Sequence, residues 1–114
     1  MPLVSLEGDE NHVVTAEHSD VRGPVIRSES LELIKMHWVK GRSARPHRHG
    51  EEQFIYILSG RMRFTVDGDT YEAGPGDCSY HPSNSLHSAE CLEDTVALSF
   101  KNIVAPFYDA TKKV

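Results

Sequence analysis

The chain has 114 residues, of which 39% are hydrophobic and 25% charged, and its formal net charge is −5. This length fits one domain with one hydrophobic core and is too short for two. Basic residues are scattered, which argues against a nucleic-acid partner, and no apolar run reaches the ~18 residues that a membrane-spanning helix needs. Residues 1–10 lack the charged start and apolar stretch of a secretory signal, so we expect a cytoplasmic protein.

Residues 1–24 are polar and end in a Gly-Pro turn signal. We predict an N-terminal arm here, which either packs across a partner subunit or frays, followed by a single domain over residues 25–114. The first clear strand signal covers residues 31–39, where Ile34, Met36 and Trp38 alternate with Lys35 and His37. This alternation predicts a strand with one buried face.

The rest of the chain favours short strands separated by turns. Asp67-Gly68 is a hairpin signal, since glycine accepts the positive φ that tight hairpin turns require. Further strands are predicted at residues 53–58 (ending at Ser59-Gly60), 62–66, 70–73, 78–81, 87–91 and 95–104. Short strands at regular spacing, without a long helix, predict an antiparallel sandwich or barrel.

The two cysteines, Cys78 and Cys91, are too far apart for a C-x-x-C redox or zinc motif. Cysteines of small intracellular proteins usually remain reduced and behave as small hydrophobic side chains. We therefore predict two free, buried thiols.

His47 and His49 form a different kind of signal. Side chains at positions i and i+2 of a strand share one face. Two imidazoles on one face are half of a site for a first-row transition metal.

These histidines belong to the pattern G-x5-H-x-H-x3-Q-x6-G, which runs from Gly41 to Gly60 and includes Gln53. A second block follows, with Gly-Pro-Gly-Asp at 74–77 and Pro-Ser-Asn-Ser-Leu-His at 82–87. Together they resemble the two cupin motifs, with Gln53 where Glu is usual. The resemblance implies an all-β jelly-roll (double-stranded β-helix) barrel. It also implies that one divalent transition metal (zinc, nickel, manganese, iron or copper) is bound by His47, His49, Gln53 and His87.

Such a ligand set would be neutral, so it would leave the charge of the metal uncompensated. The metal would then act as a stronger Lewis acid than in a 2-His-1-carboxylate site and would attract an anion. Two alternatives remain open at this point. Gln53 either binds the metal or hydrogen-bonds behind a ligand, and Glu51 or Glu52 replaces it if the strand register shifts.

Within the cupins, the chain is most similar to the single-domain members of pectin and alginate degradation, which linearise 4,5-unsaturated monouronates. The similarity rests on H-x-H-x3-Q, Tyr-Ile-Leu-Ser-Gly at 56–60, Gly-Pro-Gly-Asp at 74–77, Pro-Ser-Asn at 82–84 with His87, and Cys-Leu-Glu-Asp at 91–94. The chain departs from this group at Ser99, where its members carry an Asp. Serine is a poor general base unless another group activates it.

We therefore predict a metal-dependent enzyme of isomerase or lyase type acting on a small anionic molecule. The acid–base candidates are Ser99, Tyr80, His81 and Glu51, and the candidate cations for a substrate carboxylate are Arg48, Arg61 and Arg63. A cupin dioxygenase and a non-catalytic ligand-binding cupin are the alternatives.

The resemblance also implies a homodimer, because small cupins usually need a partner to cover sheet surface. The arm and the strand face that bears Phe54 and Tyr56 are the expected contacts, since exposed aromatic side chains suit a sheet-to-sheet interface.

Overall fold

The structure is a computed structural model, and it describes residues 3, 5, 6 and 21–104. Seven antiparallel strands make up this part of the chain: β1 (Val25–Arg27), β2 (Leu31–Trp38), β3 (Ser43–His47), β4 (Gln53–Val66), β5 (Asp69–Ala73), β6 (Cys78–His81) and β7 (His87–Asn102). Their order in the sheet is β1-β2-β7-β4-β5, while β3 pairs with β7 and β6 pairs with β4. The predicted all-β jelly-roll fold is confirmed.

Strands β4 and β7 form the long ladder that organises the barrel. At about 3.3 Å per residue, β4 would span roughly 43 Å if it were straight, which exceeds the 38 Å longest dimension of the molecule. The strand therefore bends, and the register of its pairing with β7 shifts between Ile57 and Met62. The bend lets the two ends of one ladder contribute to opposite walls of the barrel.

The prediction that a strand ends at Ser59-Gly60 is wrong, because these residues form the bulge of a continuous β4. Gly60 has φ 92°. A Cβ there would lie 2.3 Å from the carbonyl oxygen of Asp94 on β7, so only glycine allows the two backbones to approach this closely. Strand β7 is likewise continuous, although two separate strands were predicted at residues 87–91 and 95–104.

The hairpin between β4 and β5 has the predicted turn. Asp67 and Gly68 have φ values of 47° and 89°, which is the pattern of a type I′ turn. The turn is further held by Asp67, whose Oδ1 accepts a 2.9 Å hydrogen bond from the backbone N–H of Leu86. It thereby ties the hairpin to the loop that precedes β7.

The core follows the alternation of the strands. Ile34, Met36 and Trp38 of β2 are buried as predicted, together with Phe64 and Ile57 of β4. Both cysteines are free, as predicted, but the prediction that both are buried fails for Cys78, which is exposed. Side chains alternate along β6, where Ser79 and His81 point inward, so Cys78 points outward.

The last residues of the predicted arm already pack on the barrel. Val21 is 3% exposed, and Arg22 pairs with His37 of β2 through an isolated bridge. Residues 7–20 lie outside the described residues, and so do residues 105–114. Over the described positions, no helix has the length and hydropathy required to span a membrane.

Candidate metal centre

Three histidines from two distant parts of the sequence form one cluster. His47 ends β3, His49 follows in the next loop, and His87 begins β7 as the cross-strand partner of His47. The ring centroid of His87 lies 4.4 Å from that of His47 and 4.7 Å from that of His49. One nitrogen from each ring lies within 4.8 Å of the other two, so the cluster can hold one ion.

The hydrogen bonds of these rings select the same tautomer in each of them. The Nδ1 atoms donate to backbone carbonyls two residues away: His47 to Arg45 at 2.7 Å, His49 to Glu51 at 3.0 Å and His87 to Ser85 at 3.1 Å. A carbonyl oxygen can only accept, so the proton lies on Nδ1 and the lone pair on Nε2. This backbone support is the arrangement by which proteins orient metal-binding imidazoles.

Burial keeps the cluster in the form that a metal requires. It lowers the pKa of His87 to about 3, with a further contribution from neighbouring histidines, and it also lowers the pKa of His49. The Nε2 atom of His87 is buried without a hydrogen-bond partner. Because an unpartnered buried nitrogen is costly, and neutral imidazole suits divalent transition metals, the cluster fits such an ion.

Gln53 enters the same region from the start of β4. Its side chain is buried, and its Nε2 donates a 2.7 Å hydrogen bond to Oγ of Ser99 on β7. This bond occupies the amide nitrogen, so Oε1 is the atom left to bind a metal. Gln53 as the fourth ligand stays a prediction.

His81 is the most buried histidine of the site, at 1% exposure. Its ring centroid lies 4.5 Å from that of His87, and burial lowers its pKa to about 4. The Nε2 of His81 is 2.8 Å from Oγ of Ser79, which is itself 2.6 Å from the hydroxyl of Tyr71. A hydrogen-bonded chain therefore runs from a partly exposed tyrosine to a ring that contacts the cluster.

The structure brings Glu51 to the site but not Tyr80 or Glu52. The Oε1 atom of Glu51 lies 3.5 Å from Nδ1 of His49, on the side of the ring away from Nε2. Tyr80 is 43% exposed, and its hydroxyl donates to Oε1 of Glu52 at 2.8 Å on the outer surface. Tyr80 lies at an outward-facing position of β6. The sequence prediction did not consider which face of the strand Tyr80 would occupy.

The three arginines predicted for a substrate carboxylate have other contacts. Arg48 donates to the carbonyl of Asn84 at 2.9 Å. Arg61 and Arg63 form surface ion pairs, with Glu72 shared between them and Glu90 bound to Arg63. None of these four contacts is with a histidine of the cluster.

The sequence reasoning missed a buried ionic group on β1, β2 and β7. Glu32 pairs with Arg27, and its Oε1 lies 3.2 Å from Nζ of Lys101. All three side chains are at most 7% exposed. The available signal was strand parity, because Lys101 lies two residues after Ser99 and so shares its inward face.

The described residues form a small antiparallel barrel in which three histidines could hold one ion, which is a jelly-roll fold with a possible metal site. Residues 34–104 match the family model of the cupin domain. Because this match covers more than half of the chain, the protein belongs to the cupin-domain family.

The sequence identity to individual relatives is low. The chain is 26% identical over 68 residues to the pectin degradation protein KdgF of Dickeya dadantii (strain 3937), a match that covers 59% of this chain and 62% of that protein. The structure of KdgF from Halomonas sp. has a TM-score of 0.65 at 22% identity, covering 69% of this chain and 75% of that one. An RmlC-like cupin from Shewanella frigidimarina NCIMB 400 has a TM-score of 0.66 at 21% identity, covering 79% and 78%. The two solved structures support the fold.

Proposed function

We propose that this cupin is a metal-dependent enzyme of isomerase or lyase type that acts on a small anionic molecule. The observation that carries the proposal is the common tautomer of His47, His49 and His87, whose Nδ1 atoms are all bound to backbone carbonyls. Three neutral imidazoles prepared in this way suit one divalent transition metal, with Gln53 as the fourth ligand.

The donor set favours handling of an anion. A bound divalent ion polarises carbonyl and carboxylate oxygens, and neutral ligands leave its charge to be balanced by the substrate. The carboxylate of Glu51 lies against Nδ1 of His49, where it steadies the imidazole. This arrangement favours isomerisation or elimination of an acid over oxygen chemistry at a 2-His-1-carboxylate site.

A sugar acid is the substrate class we propose. The similarity to the pectin degradation protein KdgF supports this choice, and so do the motifs shared with the cupins that linearise unsaturated uronates. Since the chain spans 62% of that protein's length, the similarity supports the class of substrate and not one compound.

Three acid–base candidates remain beside the cluster after Tyr80 is set aside. Ser99 is fully buried and accepts the hydrogen bond of Gln53, so its contribution is to position that amide. Glu51 supports His49. His81 is the remaining group with a nitrogen, Nδ1, that is buried and without a hydrogen-bond partner, and we propose it as the group that exchanges a proton with the substrate.

The test combines metal analysis with turnover. The protein is purified, its metal content is measured, and samples loaded separately with zinc, nickel, manganese and iron are incubated with unsaturated galacturonate. Loss of the absorbance of the conjugated double bond, above the metal-free control, is the expected result. No loss with any of several sugar acids would reject the proposal, and oxygen uptake with the iron-loaded protein would favour a dioxygenase.

We further propose that two copies associate through one outer sheet face. Ile26, Leu33, Phe100, Phe54 and Tyr80 are successive cross-strand partners across five strands, and we call them the outer apolar row. Phe54, Phe100 and Tyr80 are 43–47% exposed, and the row borders a pocket of about 460 Å³. A second copy supplies a matching apolar row by two-fold symmetry.

A further inference from the structure

The segment at residues 82–86 joins the two parts of the chain that carry the candidate metal ligands. It follows β6 and leads directly into His87, the first residue of β7. On its other side it contacts the loop between β3 and β4, which carries His49. Arg48 and the Pro-Ser-Asn motif at residues 82–84 meet at this contact, which gives both of these sequence features a structural role.

Three hydrogen bonds make up the contact, which we call the loop clasp. The backbone N–H of Asn84 donates to the carbonyl of His49 at 2.9 Å, and the carbonyl of Asn84 accepts a 2.9 Å bond from the guanidinium of Arg48. The hydroxyl of Ser83 donates to the carbonyl of Gly50 at 2.7 Å. Asn84 therefore contacts the ligand-bearing loop through both of its backbone polar groups.

The backbone of Asn84 has a conformation that few residue types adopt. Its φ is 63°, in the left-handed region that most L-residues avoid and that asparagine tolerates better than most. Because φ and ψ set the relative directions of a residue's N–H and C=O groups, a change to negative φ would separate at least one of them from its partner. The side chain of Asn84 is exposed and makes a 3.4 Å bond to Oγ of Ser83, so the shape of the backbone is its main contribution.

Asn84 also precedes the group that supports the ring of His87. The next residue is Ser85, whose carbonyl accepts the 3.1 Å hydrogen bond from Nδ1 of His87. The dihedral angles of Asn84 set the direction of the peptide that leads into Ser85. One residue thus contacts the backbone of His49 and sets the path of the chain that orients His87.

We propose that Asn84 is a positioning residue of the metal centre, which acts through the loop clasp to fix His49 and His87 relative to each other. This inference rests on the proposed function, since it concerns the same metal centre. When the clasp is lost, a metal ion must restore the geometry as it binds, so the cost appears as weaker binding. A clasp that only stabilised the fold would change the melting temperature and leave the zinc affinity of the folded protein unchanged.

The first experiment measures zinc affinity by chelator competition, at a temperature where each variant is folded. Asn84→Val places a β-branched residue at positive φ, which it strongly disfavours, and should weaken zinc binding about tenfold. Asn84→Gly is the matched control, because glycine adopts positive φ without strain, and it should bind zinc as wild type does. Both changes are neutral, so a change in charge does not contribute.

A second, milder variant tests the other half of the clasp. Ser83→Ala removes the bond to the carbonyl of Gly50 and should weaken zinc binding about threefold, the effect of one exposed hydrogen bond. Combined with Asn84→Val it should add little, because both changes open the same contact. Ser59→Ala, at an exposed position of β4, is its control and should have no effect.

The second experiment needs no metal. Nitrogen-15 NMR of the metal-free protein near neutral pH should show the Nδ1-protonated tautomer for His87 in wild type and in Asn84→Gly, and a mixture of tautomers in Asn84→Val. His47, whose Nδ1 donates to the carbonyl of Arg45, should keep its tautomer in all three proteins and serves as the internal reference.

Zinc affinities of Asn84→Val and Ser83→Ala equal to that of wild type would show that the clasp is only structural and would overturn the proposal. If Asn84→Val does not fold, Ser83→Ala decides alone. If wild type binds no zinc, the proposed metal-dependent function fails, and the tautomer of His87 in the variants then decides whether Asn84 orients that ring.

Discussion

Nε2 of Gln53 donates a 2.7 Å hydrogen bond to Oγ of Ser99, and both side chains are buried between β4 and β7. Ser99 is the position at which the resemblance to the uronate-linearising cupins implied an aspartate. Here the residue orients the amide of Gln53 without adding a negative charge to the site. The relationship ties the identity of residue 99 to the orientation of Gln53, the proposed fourth ligand.

The first prediction concerns this hydrogen bond. Ser99→Ala should weaken metal binding about tenfold, at the lower end of the effect of removing a partner that orients a metal ligand. Isothermal titration of the stripped protein with zinc measures the change. Ser59→Ala, which alters an exposed serine at the bulge of β4, is the control. Equal affinities for Ser99→Ala and wild type would show that the bond does not position a ligand.

The second prediction concerns the histidine cluster itself. His49→Ala should lose nearly all bound metal and keep the fold, because His49 is half-buried in a loop and not part of the core. Elemental analysis and circular dichroism measure the two properties. The matched control is His37→Ala. His37 lies on β2, on the face opposite the buried Met36 and Trp38, and this variant should keep its metal. Full metal content in His49→Ala would contradict the site.

The third prediction concerns pH. Burial lowers the pKa of His81 to about 4 and that of His87 to about 3, whereas in the unfolded chain both titrate near about 6.5. Below about pH 6.5 the unfolded chain therefore binds more protons, and the free energy of unfolding falls as the pH is lowered toward 4.

Thermal unfolding of the metal-free protein between pH 7.5 and 4 measures this effect. His81→Gln, whose side chain does not titrate, should lose less stability over the same interval than wild type. Parallel curves for the two proteins would mean that His81 does not contribute to the pH dependence.

The fourth prediction concerns the outer apolar row. Phe54→Lys places a charge within the row, between Phe100 and Tyr80, where the rings of Phe54 and Tyr80 have centroids 5.0 Å apart. This change should convert a dimer into a monomer. Light scattering coupled to size exclusion measures the mass. Leu86→Lys, at an exposed loop position outside the row, should leave the dimer intact. A wild-type monomer would reject the proposed association.

Alternation and turn signals predicted the β-barrel and the Asp67-Gly68 hairpin, because these are local features of the sequence. The approach of His87 to His47 and His49 was implied by the cupin resemblance and not by local pattern, since it depends on the pairing of β3 with β7. The bulge at Gly60 was misread as a strand end, since the reason for that glycine is the approach of Asp94 from a distant strand. Local sequence does not specify which distant backbone passes close by.

The site residues also divide into those that local sequence could have predicted and those that depend on the pairing of distant strands. Tyr80 could have been excluded by parity, because Ser79 and His81 of the same short strand face inward. The position of Lys101 depends on register, since it is placed beside Gln53 only when β4 and β7 pair as they do. A charged residue with inward parity is the signal that would have singled it out.

The β4–β7 ladder also determines when during folding the site can exist. Val66 with His87 is the pair closest in sequence along this ladder, and Gln53 with Lys101 is the most distant. Pairing that extends outward from the near end brings in the distant pairs last, and such long-range strand pairing is slow. Ser99, Gln53 and Lys101 therefore come together with His87 only in the final stage of barrel closure, so uptake of a metal ion during refolding would report completion of the barrel and not its early collapse.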